Sequence, residues 1–93
     1  MSVKTTAYDS AAYLKTREDV AAYLEAAFEE GDASLIAHAL GVVARAEGMT
    51  DVAKQAGVTR ASLYKALSVE GNPEFSTVLK VVQALGLKMR VAA

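Results

Sequence analysis

The 93-residue sequence predicts one all-α domain of five helices, followed by a short β-strand at the C-terminus. Three observations predict this. Apolar residues recur at spacings of three and four through most of the chain, the period of helices that bury one face. Ser, Thr or Asp precedes each such stretch and glycine follows most of them. These residues cap the free amides of a first turn and accept the left-handed conformation that ends a helix. The pattern changes to strict alternation only at Leu87-Lys88-Met89-Arg90-Val91, the period of a strand.

Residues 1–15 form an N-terminal extension without a start signal, in which Tyr8, Tyr13 and Leu14 can dock on a core. The first helix begins after Thr16, with Asp19 three residues on to complete a capping box. Val20, Leu24, Ala27 and Phe28 make its apolar stripe, and Gly31 ends it. Asp32 caps the second helix, whose buried face is Leu35, Ile36, Leu40 and Val43, and Gly48 closes it. A very short third helix spans about Asp51–Ala56 with Thr50 as its cap, and Gly57 breaks it. Thr59 caps the fourth, about Arg60–Leu67, after which Glu70-Gly71-Asn72-Pro73 marks a loop. The fifth runs near Thr77–Leu85, with Ser76 as cap, Gly86 as stop and Val78, Leu79, Val82 and Leu85 as its core face. The strand Leu87–Val91 needs a partner, because a free edge with three apolar side chains invites pairing. A symmetry mate or the N-terminal segment could supply it.

Composition narrows the function. Apolar residues are 53 % of the chain, yet none of their runs approaches the roughly 20 residues that span a bilayer. The N-terminus MSVKTTAYDS has no apolar stretch behind its single Lys, unlike a signal peptide. A cytoplasmic protein without a membrane partner is expected. Cysteine is absent, which removes disulfides, thiolate metal sites and Cys nucleophiles. His38 is the only histidine, so no metal site and no general base is expected of it. With no set of nucleophile and base, the chain is expected to be no enzyme and to carry no cofactor. The net charge of −1 hides an asymmetry: residues 1–48 sum to −4 and residues 49–93 to +3. Attraction to phosphates depends on the charge near the contact face, so the second half suits nucleic acid better than the total suggests.

Residues Met49–Ser68 carry the pattern of a helix-turn-helix. Ala53 is small where the two helices cross, and Gly57 tolerates the positive φ of the turn. Val52, Ala56, Val58, Leu63 and Ala66 fall on inward positions, while Thr59, Arg60, Ser62, Tyr64 and Lys65 fall outward on the second helix. Such a helix lies in the major groove with its first turn nearest the bases. Arg60 is the expected base reader, since a guanidinium can donate two bonds to guanine O6 and N7. Thr59 and Ser62 can bond phosphate or base, and Tyr64 and Lys65 can meet phosphate or a thymine methyl. Thr50, at the start of the preceding helix, can hold a phosphate on its backbone amide. One unit of this kind binds weakly, so a homodimer on near-palindromic double-stranded DNA is expected.

The chain resembles a family on several stretches. They are Ala39-Leu40-Gly41, Ala44 through Met49, Gly57 through Ser68, Gly71-Asn72-Pro73-Glu74-Phe75, Thr77-Val78-Leu79 and Ala84-Leu85-Gly86-Leu87. The N-terminal pattern at Tyr8-Asp9, Tyr13-Leu14 and Tyr23-Leu24 matches more loosely. The family is that of the addiction-module antidote proteins, HigA-like antitoxins with a λ-repressor-like domain. The resemblance implies a partner, a small basic RelE/HigB-like ribonuclease toxin, which the antitoxin neutralises. It also implies repression of the operon by a dimer bound to operator DNA. The family's DNA-facing positions fall on Thr59, Arg60, Ser62, Tyr64 and Lys65; Ala61 departs from the polar residue common there and leaves one base contact unsupplied. Glu25, Glu29, Glu30 and Asp32 could receive a basic toxin, or form a solvated helix face. A phage-repressor-like regulator without a toxin is the alternative, followed by a protein-binding module that has lost DNA binding.

Overall fold

Hydrogen-bonding side chains start three of the helices as the sequence dictates. The computed structural model describes residues 14–68 and 70–92, and among these there are five α-helices and no strand. They are α1 (Arg17–Glu30), α2 (Ala33–Glu47), α3 (Met49–Ala56), α4 (Arg60–Ala66) and α5 (Phe75–Ala84). Before α1, Thr16 Oγ1 accepts from the Asp19 amide at 3.0 Å and Asp19 Oδ2 accepts from the Thr16 amide at 3.1 Å. Asp32 Oδ1 accepts from the Ser34 amide at 2.9 Å, and Thr59 Oγ1 from the Ser62 amide at 3.0 Å. Each bond satisfies an amide that the helix itself leaves without a partner.

The other two helices start differently from the sequence expectation. Thr50 does not cap α3; it is the second residue of a helix that begins at Met49 with Gly48 ahead of it. Gly48 ends α2 through its amide bond to the Ala44 carbonyl (2.8 Å), and its own carbonyl takes the Val52 amide (3.0 Å). One residue therefore serves both helices, and no position is left for a separate cap. Burial of Met49 holds this early start in place. Likewise α5 begins at Phe75 rather than Thr77, after Glu74, and Ser76 lies inside its first turn. The Glu74 carbonyl accepts from the Thr77 and Val78 amides at 3.0 and 3.1 Å, which closes that turn without a side-chain cap.

The core is built around α2. Residues 39–44 are buried without interruption, so this helix is apolar on all sides over more than a turn, as only an enclosed helix is. Helices α1, α3 and α5 pack on it, and α3 also meets α4 and α5. Leu40, Val43, Leu63 and Val81 are fully buried where these elements converge. Two core expectations are corrected here. Leu35 is exposed, because α2 begins beyond the packed region and turns that side to solvent. Val81, absent from the expected face of α5, is fully buried there, whereas Leu79 is half-buried. Leu14 and Tyr23 pack against the core as partly buried side chains; Tyr8 and Tyr13 lie outside the described residues.

At Gly41, in the middle of α2, a Cβ would stand 2.9 Å from the Leu67 carbonyl oxygen. The end of α4 thus rests on bare backbone of α2.

The expected strand Leu87–Val91 is absent; these residues have no regular secondary structure. The cap of α5 explains the difference. Gly86, at φ 78°, donates to the Gln83 carbonyl (3.0 Å), and Leu87 donates to the Val82 carbonyl (3.1 Å). This is a Schellman closure, and it uses the first amide that a strand would need. Leu87 turns toward the core, Arg17 Nη1 donates to the Gly86 carbonyl at 2.7 Å, and no second strand is present among the described residues to pair with the tail. Alternation without a partner does not make a strand.

Gly41→Val is expected to lower the unfolding free energy by about 2 kcal/mol or more, since the clash is with backbone and cannot be relieved by a rotamer change. Urea unfolding checks this, and an unchanged midpoint would show that α2 and α4 are not in backbone contact.

Candidate nucleic-acid interface

The surface in question is built by α3, its turn and α4. Gly57, at φ 77°, donates to the Lys54 carbonyl at 3.2 Å, and Val58 donates to the Ala53 carbonyl at 3.0 Å. That closure ends α3 in the left-handed conformation and delivers Thr59 to the first turn of α4. Val52, Ala53, Ala56 and Leu63 are buried and Val58 and Ala66 half-buried, so the inward set lies as expected. Leu63 and Leu67 anchor α4 from below, at 0 % and 1 % exposure. Thr59, Arg60, Ser62, Tyr64 and Lys65 are all exposed.

Several of these side chains are organised among themselves. Arg60 donates through Nη1 to Thr50 Oγ1 at 3.3 Å and through Nη2 to Tyr64 Oη at 3.4 Å. Its guanidinium carbon lies 5.5 Å from the Tyr64 ring centroid, within cation–π range. Both hydrogen bonds are long, and a guanidinium has five N–H donors, so this arrangement orients Arg60 without saturating it. No carboxylate pairs with it among the described residues. The charge remains available to an outside anion or to an acceptor pair on a base.

Thr59 and Ser62 form a second unit. The Thr59 hydroxyl accepts the Ser62 amide and donates to Ser62 Oγ at 2.8 Å. Thr59 is therefore occupied as a cap, while the Ser62 hydroxyl keeps its own hydrogen for an outside acceptor. Lys65 stands apart from both units, exposed on the second turn; its carbonyl accepts from Ser68 Oγ at 2.9 Å. Thr50 is itself exposed and accepts from Arg60, and its amide lies in a first turn of α3 that has no side-chain cap.

Sequence reasoning missed the polar flank of α4. A cleft of about 560 Å³ separates Ser62 and Lys65 from Ser68, Asn72 and Thr77. Its floor is close-packed: a Cβ at Gly71 would collide with the Lys65 and Ala66 carbonyls. The signal was the Gly71-Asn72-Pro73 run, which marks a loop but says nothing of where it folds back. Elsewhere, Glu25, Glu29, Glu30 and Asp32 are exposed around the end of α1, and His38 is half-buried. Among the described residues, no group of three or more His, Cys, Asp or Glu could hold a metal ion, and no helix is long and apolar enough to cross a membrane.

Fold and surface together define a small all-helical protein that displays an oriented arginine, hydroxyls and a lysine on a short outer helix. Comparison with known proteins makes the class specific: residues 4–93 match the family described as "probable addiction module antidote protein", and the chain belongs to that family. It is also 45 % identical, over 84 residues, to an uncharacterized protein of Haemophilus influenzae, a match that covers 90 % of this chain and 87 % of the relative. No solved structure matches the chain. The expectation of an addiction-module antidote is met at the level of the family.

The turn gives a direct test of this surface. Gly57→Val is expected to cost about 1 kcal/mol or more of stability, because a β-branched residue is strained at positive φ. An unchanged melting temperature would mean that α3 does not end in the left-handed conformation.

Proposed function

We propose that this protein is the antitoxin of a type II toxin–antitoxin module, and that it represses its own operon as a homodimer through a λ-repressor-like helix-turn-helix, α3 and α4. In this reading α4 enters the major groove and Arg60 reads a base, with Tyr64 and Thr50 holding its guanidinium in place. Ser62 donates to phosphate or base, Lys65 meets phosphate, and Thr50 presents a first-turn amide to the backbone of the DNA. Thr59 acts mainly through the helix start. The observation that carries the proposal is the Arg60 cluster: an exposed guanidinium, oriented by two long hydrogen bonds and free of any carboxylate among the described residues. The +3 charge of residues 49–93 supports it.

Membership in the antidote family supports a toxin as the second partner. The net charge of −4 on residues 1–48 suits a small basic toxin of the RelE/HigB-like ribonuclease kind. The protein acts by binding, in the cytoplasm, with neither catalysis nor cofactor: it has no cysteine and one histidine to offer such chemistry.

Arg60→Ala is expected to weaken operator binding by about 1–3 kcal/mol and to relax preference at one base pair. Titration of the upstream DNA with wild type and variant, at fixed salt, measures both. If affinity and preference stay unchanged, Arg60 is not the reader. Co-expression with the neighbouring open reading frame tests the other half. Rescue of a toxic partner with a co-purifying complex is expected, whereas a harmless neighbour that does not bind would leave a stand-alone repressor.

A further inference from the structure

A second surface of the protein is apolar, open and adjacent to the first. A groove of about 300 Å³ runs between the α1–α2 corner and the start of α5, lined by Phe28, Ile36, Ala37, Pro73, Phe75 and Val78. Phe75 stands at its lip with 67 % of its surface exposed, although Val81 and Val82 of the same helix are buried. Met89 of the C-terminal tail also lines the groove, and Val91, two residues on, is fully exposed. Large apolar side chains gathered about one concavity mark an interaction site rather than ordinary surface.

Charge indicates what covers it. The tail that leaves the groove carries Lys88 and Arg90, and neither has an ion-pair partner among the described residues. The corner on the other side carries exposed Glu29, Glu30 and Asp32. One chain thus offers an apolar hollow with an acidic border and an apolar tail with a basic one. A second copy, turned about a two-fold axis, supplies the complement of both at once, as a self-complementary interface requires. A basic protein would meet Lys88 and Arg90 with like charge.

We infer that this groove is the seam of a homodimer. Phe75 and Val91 of each copy pack into the groove of the other, and the Lys88/Arg90 tail of each faces Glu29 and Glu30 of the other. Residues 87–92 of the tail, six in all, can extend about 20 Å, far enough to cross such a seam. Position also fits. Asn72 and Pro73 border both this groove and the cleft beside α4, so a copy seated here lies next to α4. That arrangement serves the two half-sites of the DNA reading proposed above, on which this inference rests for its purpose.

Sedimentation equilibrium of the full chain without DNA tests the seam. A dimer is expected, and Phe75→Asp is expected to weaken self-association at least tenfold with unchanged circular dichroism. Two charge-reversed proteins then identify the contact: Lys88→Glu with Arg90→Glu, and Glu29→Lys with Glu30→Lys. Each alone is expected to be monomeric, and their mixture to restore a heterodimer, because both tail–corner contacts regain opposite signs. A photocrosslinker at position 75 is expected to capture a second copy. A full chain monomeric at all concentrations, a dimer indifferent to these substitutions, or a crosslink to residues 1–13 of the same chain or to a co-expressed toxin would overturn the seam. A monomer that still binds operator DNA overturns the seam alone. A dimer that obeys the charge reversals but ignores the DNA supports the seam and overturns the DNA reading.

Discussion

The contact of α4 with bare backbone at Gly41 governs how the outer surface is held. Because α2 has no side chain there, the Leu67 carbonyl can come within reach of a position where any Cβ would stand only 2.9 Å away. The chain end of α4 is thereby pressed onto the most enclosed part of the molecule. Leu63 and Leu67 can then be fully buried although α4 has only seven residues. A helix that short is marginal on its own. Its shape comes from the Thr59 cap, from those two leucines and from the glycine beneath them. The placement of Arg60, Ser62 and Tyr64 as a set is therefore a property of the core, although all three side chains are exposed.

Much of this arrangement was visible in the sequence, and the parts that were not share a cause. The capping box at Thr16 and Asp19, the Asp32 and Thr59 caps and the glycine ends are local: residues within four positions determine them, and they occur as read. The inward and outward sets of α3 and α4 were legible for the same reason, since period and turn chemistry agree there. What failed depended on neighbours far along the chain. Thr50 has good capping chemistry, but Gly48 closes one helix and opens the next, so the cap site does not exist. Leu35 lies on the apolar stripe of α2 by spacing, yet packing begins only a residue or two later. The tail alternates like a strand, but the Schellman closure at Gly86 directs Leu87 inward and no partner strand is available among the described residues.

For the candidate site, residue types were legible and their mutual geometry was not. No spacing rule places Thr50 of α3 against Arg60 of α4, because that contact depends on the angle between the two helices. Nor did spacing show that Thr59 gives both its donor and its acceptor to Ser62. The consequence is a division of labour along four residues. Thr59 maintains the helix, Arg60 is presented, and Ser62 retains a free donor.

The residue shared by α2 and α3 has a consequence for how such proteins can change over time. Gly48 leaves no slack between the two helices, so the phase of α3 is geared to that of α2. Adding or removing one residue at this junction would turn α3 by about 100° about its own axis, and would carry α4 away from its present outlook. The stretch from Ser68 to Glu74 shares no residue between α4 and α5, but Gly71 is packed against the last carbonyls of α4. Length variation among relatives should therefore spare the Gly48 junction. The outer helix is indexed to that fixed hinge.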